Sequence, residues 1–264
     1  VESNSLGDRM KSYYENVSRY YLTRKIPVIL RIDGKAFHTF TKNFKKPFDD
    51  SFSILMERTA IKLCEEIQGS KCAYKQSDEI SILITDLDDI KTEAWFDYNI
   101  QKMVSVSASI ATAIFNKYHF IDEYDTLSYY TPAKNERIAC FDSRVFNIPI
   151  HEVENYFIWR QKDWIRNSIM MLARSYFSHK ELKNKNGLDV HEMLCDKNVN
   201  WTDLEDKWKN GVFIRKVNYE KNGVERSKWE PMRECPIFTT DEGRILIRSL
   251  LKENLNESSN PFRR

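Results

Sequence analysis

The chain has 264 residues, 41% hydrophobic and 30% charged, with a net charge of only +2. That suits a globular domain, or one domain with an appendage, and excludes a nucleic-acid binder that works through bulk positive charge. No apolar run approaches the ~20 residues that cross a bilayer, so no membrane partner is expected. The five cysteines, Cys64, Cys72, Cys140, Cys195 and Cys235, are scattered and odd in number. With no apolar leader at the start of the chain, they predict free thiols in a reducing, cytoplasmic compartment.

Residues 1–25 are polar and aromatic without a clear period. Tyr13, Tyr14, Tyr20 and Tyr21 sit among Arg9, Lys11, Arg19, Arg24 and Lys25. They could stack on bases, cover a neighbouring subunit, or cover the domain's own flank. Val28 to Ile32, bounded by Pro27 and Gly34, predicts a buried strand with Asp33 at its mouth. Gly34 is expected to let the chain turn with unusual dihedrals and to let a backbone carbonyl approach a ligand. Lys35 to Pro47 reads as a loop whose Lys35, Lys42, Lys45 and Lys46 could meet a triphosphate.

Asp49-Asp50-Ser51 opens a predicted helix to about Glu66, and Gln68-Gly69-Ser70 ends it. A hairpin follows, Lys71 to Gln76 and Glu79 to Thr85, with Ser77-Asp78 near the turn. Ile80, Ile82 and Ile84 alternate with Ser81, Leu83 and Thr85, which predicts a strand buried on both faces. A second helix is expected from Thr92 to Tyr118, carrying Lys102, then an irregular loop to Lys134, then a strand from Ile138 to Phe146. This order, strand-helix-strand-strand-helix-strand, predicts an α+β fold: a ferredoxin-like (split βαβ) domain of the kind used by polymerase palms and nucleotide cyclases.

His151 to Lys180 predicts a third helix. Leu188 to Lys197 reads as a short helix. Thr202 is a plausible N-cap for a helix ending before Gly211, and Asn222-Gly223 predicts a hairpin between Val212–Asn218 and Val224–Trp229. Thr239-Thr240-Asp241 precedes a last helix, and the tail from Asn254 is polar. His191 and Cys195, four apart, have a spacing that zinc can use, but no second pair accompanies them. The expected division is a palm-like domain over 1–150, preceded by an N-terminal arm, and a C-terminal helix, basic hairpin and tail over 151–264 packing on it. Two basic runs, Arg160 to Lys185 and Lys207 to Lys228, are candidate RNA surfaces or simply solvated faces.

Asp78 placed beside Asp33 would bring two carboxylates to one sheet edge. Two acidic side chains and a backbone oxygen suit magnesium, which takes the rest of its shell from water and phosphates. Asp-Gly after a strand and Asp-Glu at a hairpin tip are also ordinary turn chemistry.

Three motifs in order change that balance: Arg31-Ile32-Asp33-Gly34-Lys35-Ala36-Phe37-His38-Thr39-Phe40, then Lys46-Pro47-Phe48-Asp49, then Tyr74-Lys75-Gln76-Ser77-Asp78-Glu79. Together they resemble the tRNA-His guanylyltransferase superfamily, with the likeness running from about Leu6 to about Ser178. The resemblance implies an enzyme that adds nucleotides to the 5′ end of tRNA, opposite in direction to ordinary polymerases. It implies that Asp33, the Gly34 carbonyl and Asp78 hold two Mg2+ ions, with GTP and ATP as substrates. Amides from Lys35, Ala36, Phe37 and His38 would cradle the nucleotide, Lys46 would meet phosphate, and Ser77 would lie beside the metal ligand Asp78. Glu79 would orient a water or an outer-shell hydroxyl. Lys102 and Asn167 are more distant candidates. A homotetramer, a dimer of dimers, is also implied.

Trp159-Arg160-Gln161-Lys162-Asp163 resembles a tract that lies near the active site in the same family. Where enzymes acting on tRNA-His continue to His-x-Asn-Asn, this chain reads Ile165-Arg166-Asn167-Ser168. That departure favours the Thg1-like, 3′-5′ polymerase branch, which repairs 5′-truncated tRNA by templated addition. A strict tRNA-His guanylyltransferase, a palm-type nucleotide cyclase and a non-catalytic RNA-binding subunit are the alternatives.

Overall fold

The protein is described from a computed structural model covering residues 5–125 and 137–252. Its centre is a six-stranded, wholly antiparallel sheet. The strands are β1 (Val28–Gly34), β2 (Ser70–Gln76), β3 (Glu79–Ile84), β4 (Phe141–Asn147), β5 (Val212–Lys221) and β6 (Val224–Met232), in the spatial order β4-β1-β3-β2-β5-β6. The helices of nine residues or more are α1 (Asp50–Glu66), α2 (Ile100–Asp125), α3 (Val153–Arg174), α4 (Gly187–Cys195) and α5 (Asp241–Lys252).

Strand periodicity sorts the side chains into two layers. Val28, Leu30, Ile32, Ile80, Ile82 and Ile84 face α1 and α2, where they meet Leu55, Met56, Leu63, Met103 and Phe115. Ile29, Cys72, Tyr74, Leu83 and Phe213 face α3 and α5, against Val153, Phe157 and Ile247. β1 and β3 are therefore largely buried on both faces, and each buried isoleucine contributes about 2 kcal/mol. The second half of α3 carries a smaller core with α4, built on Ile169, Leu172, Val190 and Leu194.

The C-terminal hairpin turns at Asn222 and Gly223, both with positive φ, as the dipeptide predicts. It does not stand apart: β5 pairs with β2 and extends the sheet. Only its root is buried, and from Arg215 to Lys228 it is largely exposed.

Several helix ends differ from expectation. Residues 92–99 are not part of the α-helix; Trp95–Tyr98 form a separate 3-10 turn in which Phe96, Asp97 and Tyr98 take left-handed φ. Tyr98 and Ile100 exchange backbone hydrogen bonds with Leu22 and Tyr20, and Asn99 caps α2 through its side chain to the Lys102 amide at 3.0 Å. The buried Asp86 anchors this corner, accepting from Arg24 Nε at 2.7 Å and the Lys25 amide at 3.0 Å. At its other end α2 continues to Asp125, where an irregular loop was expected; the rest of that loop lies outside the described residues, as does the polar tail from Asn254. α3 stops at Arg174 because Ser178 starts a new four-residue helix with a capping box to Glu181. Thr202 caps nothing. Asn200 caps a short 3-10 turn there, and the next helix, Asp206–Lys209, starts after Glu205.

Gly34 is needed for a reason other than the one its sequence context suggests. Its φ is not left-handed; that conformation falls on Ala36, φ 55° and ψ 37°. A Cβ on Gly34 would instead lie 2.3 Å from the Phe37 ring, which is buried among Phe40, Phe52, Phe115 and Phe141. Gly34→Ala is expected to destabilise the protein by about 1–3 kcal/mol through overpacking. Urea unfolding measures it, and an unchanged midpoint would contradict the packing role.

Candidate active site

The sheet end that carries Asp33 opens into a cavity of about 620 Å³. Three parts of the chain build it: the segment 33–52, the β2–β3 turn, and the inner side of α3 with Trp208. Of the residues singled out from sequence, Asp33, Gly34, Ala36, Phe37, His38, Lys46, Ser77 and Asp78 all line it. Lys35 does not. Its side chain is exposed elsewhere, and its amide donates to the Cys140 carbonyl at 2.8 Å, so that amide is not offered to a ligand. Glu79 lies behind the lining. Lys102 is at the start of α2, towards the opposite end of the sheet, with its ammonium 5.8 Å from the Phe96 ring. Asn167 is exposed on α3 and bonded to Asp163 at 3.4 Å.

Register explains how Asp33 and Asp78 come together. Asp33 pairs with Glu79 across β1 and β3, so the two-residue turn that precedes Glu79 lies beside the end of β1. The Gly34 amide donates to the Asp78 carbonyl at 3.1 Å and fixes the turn against the strand. Ser77 takes a positive φ of 47° to close it. Burial first, and then the charge of Asp33, push the Asp78 carboxyl up to about 6, against the opposing pull of its own amide and the Ser77 hydroxyl. Two carboxylates share one pocket wall and their charges oppose each other. No group of three or more His, Cys, Asp or Glu side chains suited to a metal occurs among the described residues. A donor pair of this kind fits a hard divalent cation that takes its remaining ligands from water and substrate oxygens. It does not suit zinc, and neither does the His191–Cys195 pair: His191 packs edge-on to Trp201, and Cys195 is exposed.

Beyond the carboxylates the lining turns positive. Lys46 is exposed at the rim, with Nζ 3.5 Å from Thr41 Oγ1. His38 lies on the short helix Phe37–Phe40, whose first amides, on Phe37 and His38, have no intrahelical acceptor. Arg174 lines the wall opposite.

Glu79 is held by α3. Its two oxygens accept from Arg160 Nε at 2.8 Å and a terminal guanidinium nitrogen at 2.7 Å, and Gln76 Nε2 adds a bond of 3.1 Å. Both partners are buried. Arg160 and Gln161 came from a tract expected to lie near the site, but nothing in the sequence named their partners. Gln161 bonds the Asn210 and Pro236 carbonyls and accepts from the Phe238 amide, which locks the C-terminal segment onto α3. The lining residues that sequence reasoning missed include Lys75, Trp164, Met171 and Trp208. Lys75 carried a weak signal, as a cation beside Ala73 and Tyr74 in a strand expected to be buried; Trp208 carried none.

These features define a nucleotidyltransferase-like site: a carboxylate pair at a sheet edge, cations facing it, and an aromatic wall. The tRNAHis guanylyltransferase (Thg1) family model matches residues 7–149. A bacterial tRNA(His) guanylyltransferase (Thg1)-like protein solved in complex with ATP is 44% identical, covering 93% of this chain and 98% of that one with a TM-score of 0.83. A bacterial Thg1-like protein in complex with GTP is 43% identical, covering 93% and 99% with a TM-score of 0.78. The tRNA(His) guanylyltransferase of Debaryomyces hansenii is 27% identical over 84% of this chain and 88% of its own length. The chain belongs to the Thg1 family, and it is an enzyme of the guanylyltransferase-like nucleotidyltransferase class. The likeness does not fade near Lys180, as the motifs alone suggest; in the bacterial structures it extends across almost the whole chain.

Two outcomes follow from the geometry. With a raised carboxyl pKa, the folded state binds a proton at Asp78 that the unfolded chain releases near the ordinary value of 3.8. This group therefore weakens the fold as pH rises from about 4 to about 6, and the loss is complete above that. Asp78→Asn, measured by urea unfolding with chelator present, should be about 2 kcal/mol more stable than wild type at about pH 7.5 and equal to it at about pH 4. Separately, Arg160→Met leaves the Glu79 carboxylate buried without its partner and should destabilise by about 3–5 kcal/mol. Adding Glu79→Gln should recover much of that; a double mutant no better than the single would mean that the pair does not act as a unit.

Proposed function

We propose that this chain adds nucleotides to the 5′ end of tRNA in the 3′-5′ direction, repairing 5′-truncated tRNA under template control. What carries the reading is the convergence of Asp33, Asp78 and Lys46 on one cavity in a chain of this family. Solved relatives hold ATP and GTP, which supports nucleoside triphosphates as substrates.

In this reading the strand order β4-β1-β3-β2, with α1 and α2 on one face, is a ferredoxin-like palm spanning about residues 1–150. The segment after 150 packs on it. Asp33, the Gly34 carbonyl and Asp78 would hold two Mg2+ ions, which when bound lower the barrier to hydroxyl attack and neutralise phosphate charge. The amides of Phe37 and His38, with Lys46, grip the triphosphate and orient it. Ser77 steadies the Asp78 carboxylate. Glu79 holds the turn in place through Arg160 and acts on the reacting atoms only indirectly. Positioning and charge neutralisation supply most of the catalysis, and little covalent chemistry falls to the protein.

Templated repair is favoured over strict addition of one guanosine to tRNA-His by residues 165–168. Ile165 packs beside the α3–α4 core and Ser168 is buried, donating to the Trp208 carbonyl at 2.6 Å and accepting from the Trp201 indole at 2.9 Å. Those two positions serve packing and present no imidazole to a tRNA. The exposed Arg215, Lys216, Lys221 and Arg226 of the hairpin provide an RNA-facing surface. The exposed Leu6, Tyr13, Tyr14 and Val17 of the N-terminal arm suit burial in a homotetramer. No helix among the described residues is long and apolar enough to cross a membrane, and a cytoplasmic setting fits a tRNA substrate.

The test is a 5′-shortened tRNA transcript incubated with labelled triphosphates and magnesium. The 5′ end should grow as directed by the opposing base. Asp33→Ala and Asp78→Ala should reduce that growth at least ~1000-fold, and Lys46→Ala should raise the KM for triphosphate more than that for RNA. A wild type that leaves the RNA unchanged but cyclises GTP would overturn the proposal.

A further inference from the structure

The proposed reaction brings two substrates to one pair of carboxylates, and the cavity accounts for the triphosphate alone. The RNA end must reach Asp33 from outside it. On the face of the sheet that carries α3, register sets Ser81, Arg31 and Arg144 in one row across β3, β1 and β4. The next row, nearer the end of the sheet, is Glu79, Asp33 and Asp142. α3 covers the β3 end of each row: Tyr156 shares a 2.8 Å hydrogen bond with the Ser81 hydroxyl, and Arg160 grips Glu79. Over the other two strands the rows lie open. Arg31 and Asp33 are half-buried, and Arg144 and Asp142 are exposed, so they form the floor of a trough that ends at Asp33.

Trp159 is the wall of this trough. It stands on the flank of α3 that faces β4, beside Tyr156, which itself meets Phe146 of β4 with ring centroids 6.0 Å apart. The Trp159 ring is 52% exposed and yet held in place. Tyr156 meets it at 70° with centroids 5.8 Å apart, and the Arg160 guanidinium lies 4.6 Å from its centre. Since Arg160 is fixed by Glu79, the position of the ring is tied to the residue that follows Asp78. The floor beside it is cationic. Arg31 Nε is buried without a hydrogen-bond partner among the described residues. Arg144 bonds Asp142 at 3.0 Å, which occupies the acceptor of the exposed carboxylate on this floor.

We infer that Trp159 is the platform on which the 5′-terminal base pair of the RNA substrate stacks. Within a duplex every base face is covered by its neighbour; only the end of the helix presents a free one. A rigid, exposed indole next to the reacting carboxylates therefore recognises an end. It does so without reading sequence, because every base has a stacking face. That is the property templated addition needs: the opposing strand selects the nucleotide, and the protein has only to hold whichever pair is terminal. The cationic floor suits the phosphates that accompany such an end. A free nucleotide fits this surface less well, since small ligands are held in concave pockets and the trough is open. The inference rests on the proposed function for its RNA partner, and adds to it the residue that locates the end to be extended.

The experiment compares two RNAs by fluorescence anisotropy, with the full chain, magnesium and no triphosphate. One is a 5′-shortened tRNA transcript with an open acceptor stem. The other is the same transcript with that stem closed by a short loop, so that no terminal base pair is free. Wild type should bind the open stem more tightly. Trp159→Ala should weaken binding of the open stem about tenfold and of the closed stem less than about twofold. Trp159→Phe, which keeps a stacking face, should restore most of the loss. In nucleotide addition, Trp159→Ala should raise the KM for RNA and leave that for triphosphate unchanged. Equal weakening of both RNAs would overturn the inference. So would a Trp159→Ala protein whose subunit assembly falls apart in sedimentation, which would place the ring against another copy of the chain. A wild type that binds the open stem through Trp159 but never extends it would overturn the proposed function and leave this contact standing. A wild type that binds neither RNA overturns both.

Discussion

The bond between Arg160 and Glu79 is the constraint on which the site depends. A guanidinium from α3 grips a carboxylate on β3, both out of water, one residue after Asp78. Neither charge is tolerable alone in that position, so the helix and the hairpin must arrive together. The pair ties the β2–β3 hairpin to α3, while the β1–β3 register and the Gly34 amide tie its turn to the end of β1, so Asp33 and Asp78 line one cavity. An apolar contact of similar area would hold α3 to the sheet equally well, but it would not select one register so sharply.

Around that contact the protein places groups that are individually unfavourable. Asp78 is held in a setting that resists its charge, beside a second carboxylate. Lys75 is buried with an ammonium that has one hydroxyl partner. The surrounding sheet, with β1 and β3 packed between two apolar cores, supplies the stability that lets these persist. Stability and the proposed activity oppose one another here, because the charge that weakens the fold is the charge the proposed cation would use.

The C-terminal segment is part of this arrangement and no mere appendage. Its hairpin continues the sheet beyond β2, and Tyr74 of β2 bonds the Asn210 carbonyl at 2.8 Å. Gln161 of α3 holds the same carbonyl and the Phe238 amide. Trp208, two residues before Asn210, is thereby set over Lys75. The family model stops at residue 149, yet the cavity does not close without residues some sixty positions later.

Strand positions, the two hairpins and the residues that meet at the sheet edge were legible in the sequence. Alternation along Glu79–Ile84, Asn-Gly at 222–223 and an aspartate ending an apolar strand are local signals, set by backbone geometry and by which side chains prefer water. Helix ends were less legible. α2 begins at Ile100, eight residues after the pattern suggests, because Tyr20 and Leu22 claim the backbone there. Gly34 is required by the Phe37 ring and not by its own dihedrals. Which charges pair was not legible at all: Arg160 with Glu79, Lys207 with Asp50, and the enclosure of Lys75 by Trp208 each join residues far apart in the chain. Composition and pattern determined the strands and the turns, and the resemblance of three motifs to a known family singled out the acidic pair. Only the packed structure decided which cations face that pair and which are spent holding it, since ion pairing depends on distance through space and on exclusion of water, and neither is written along the chain.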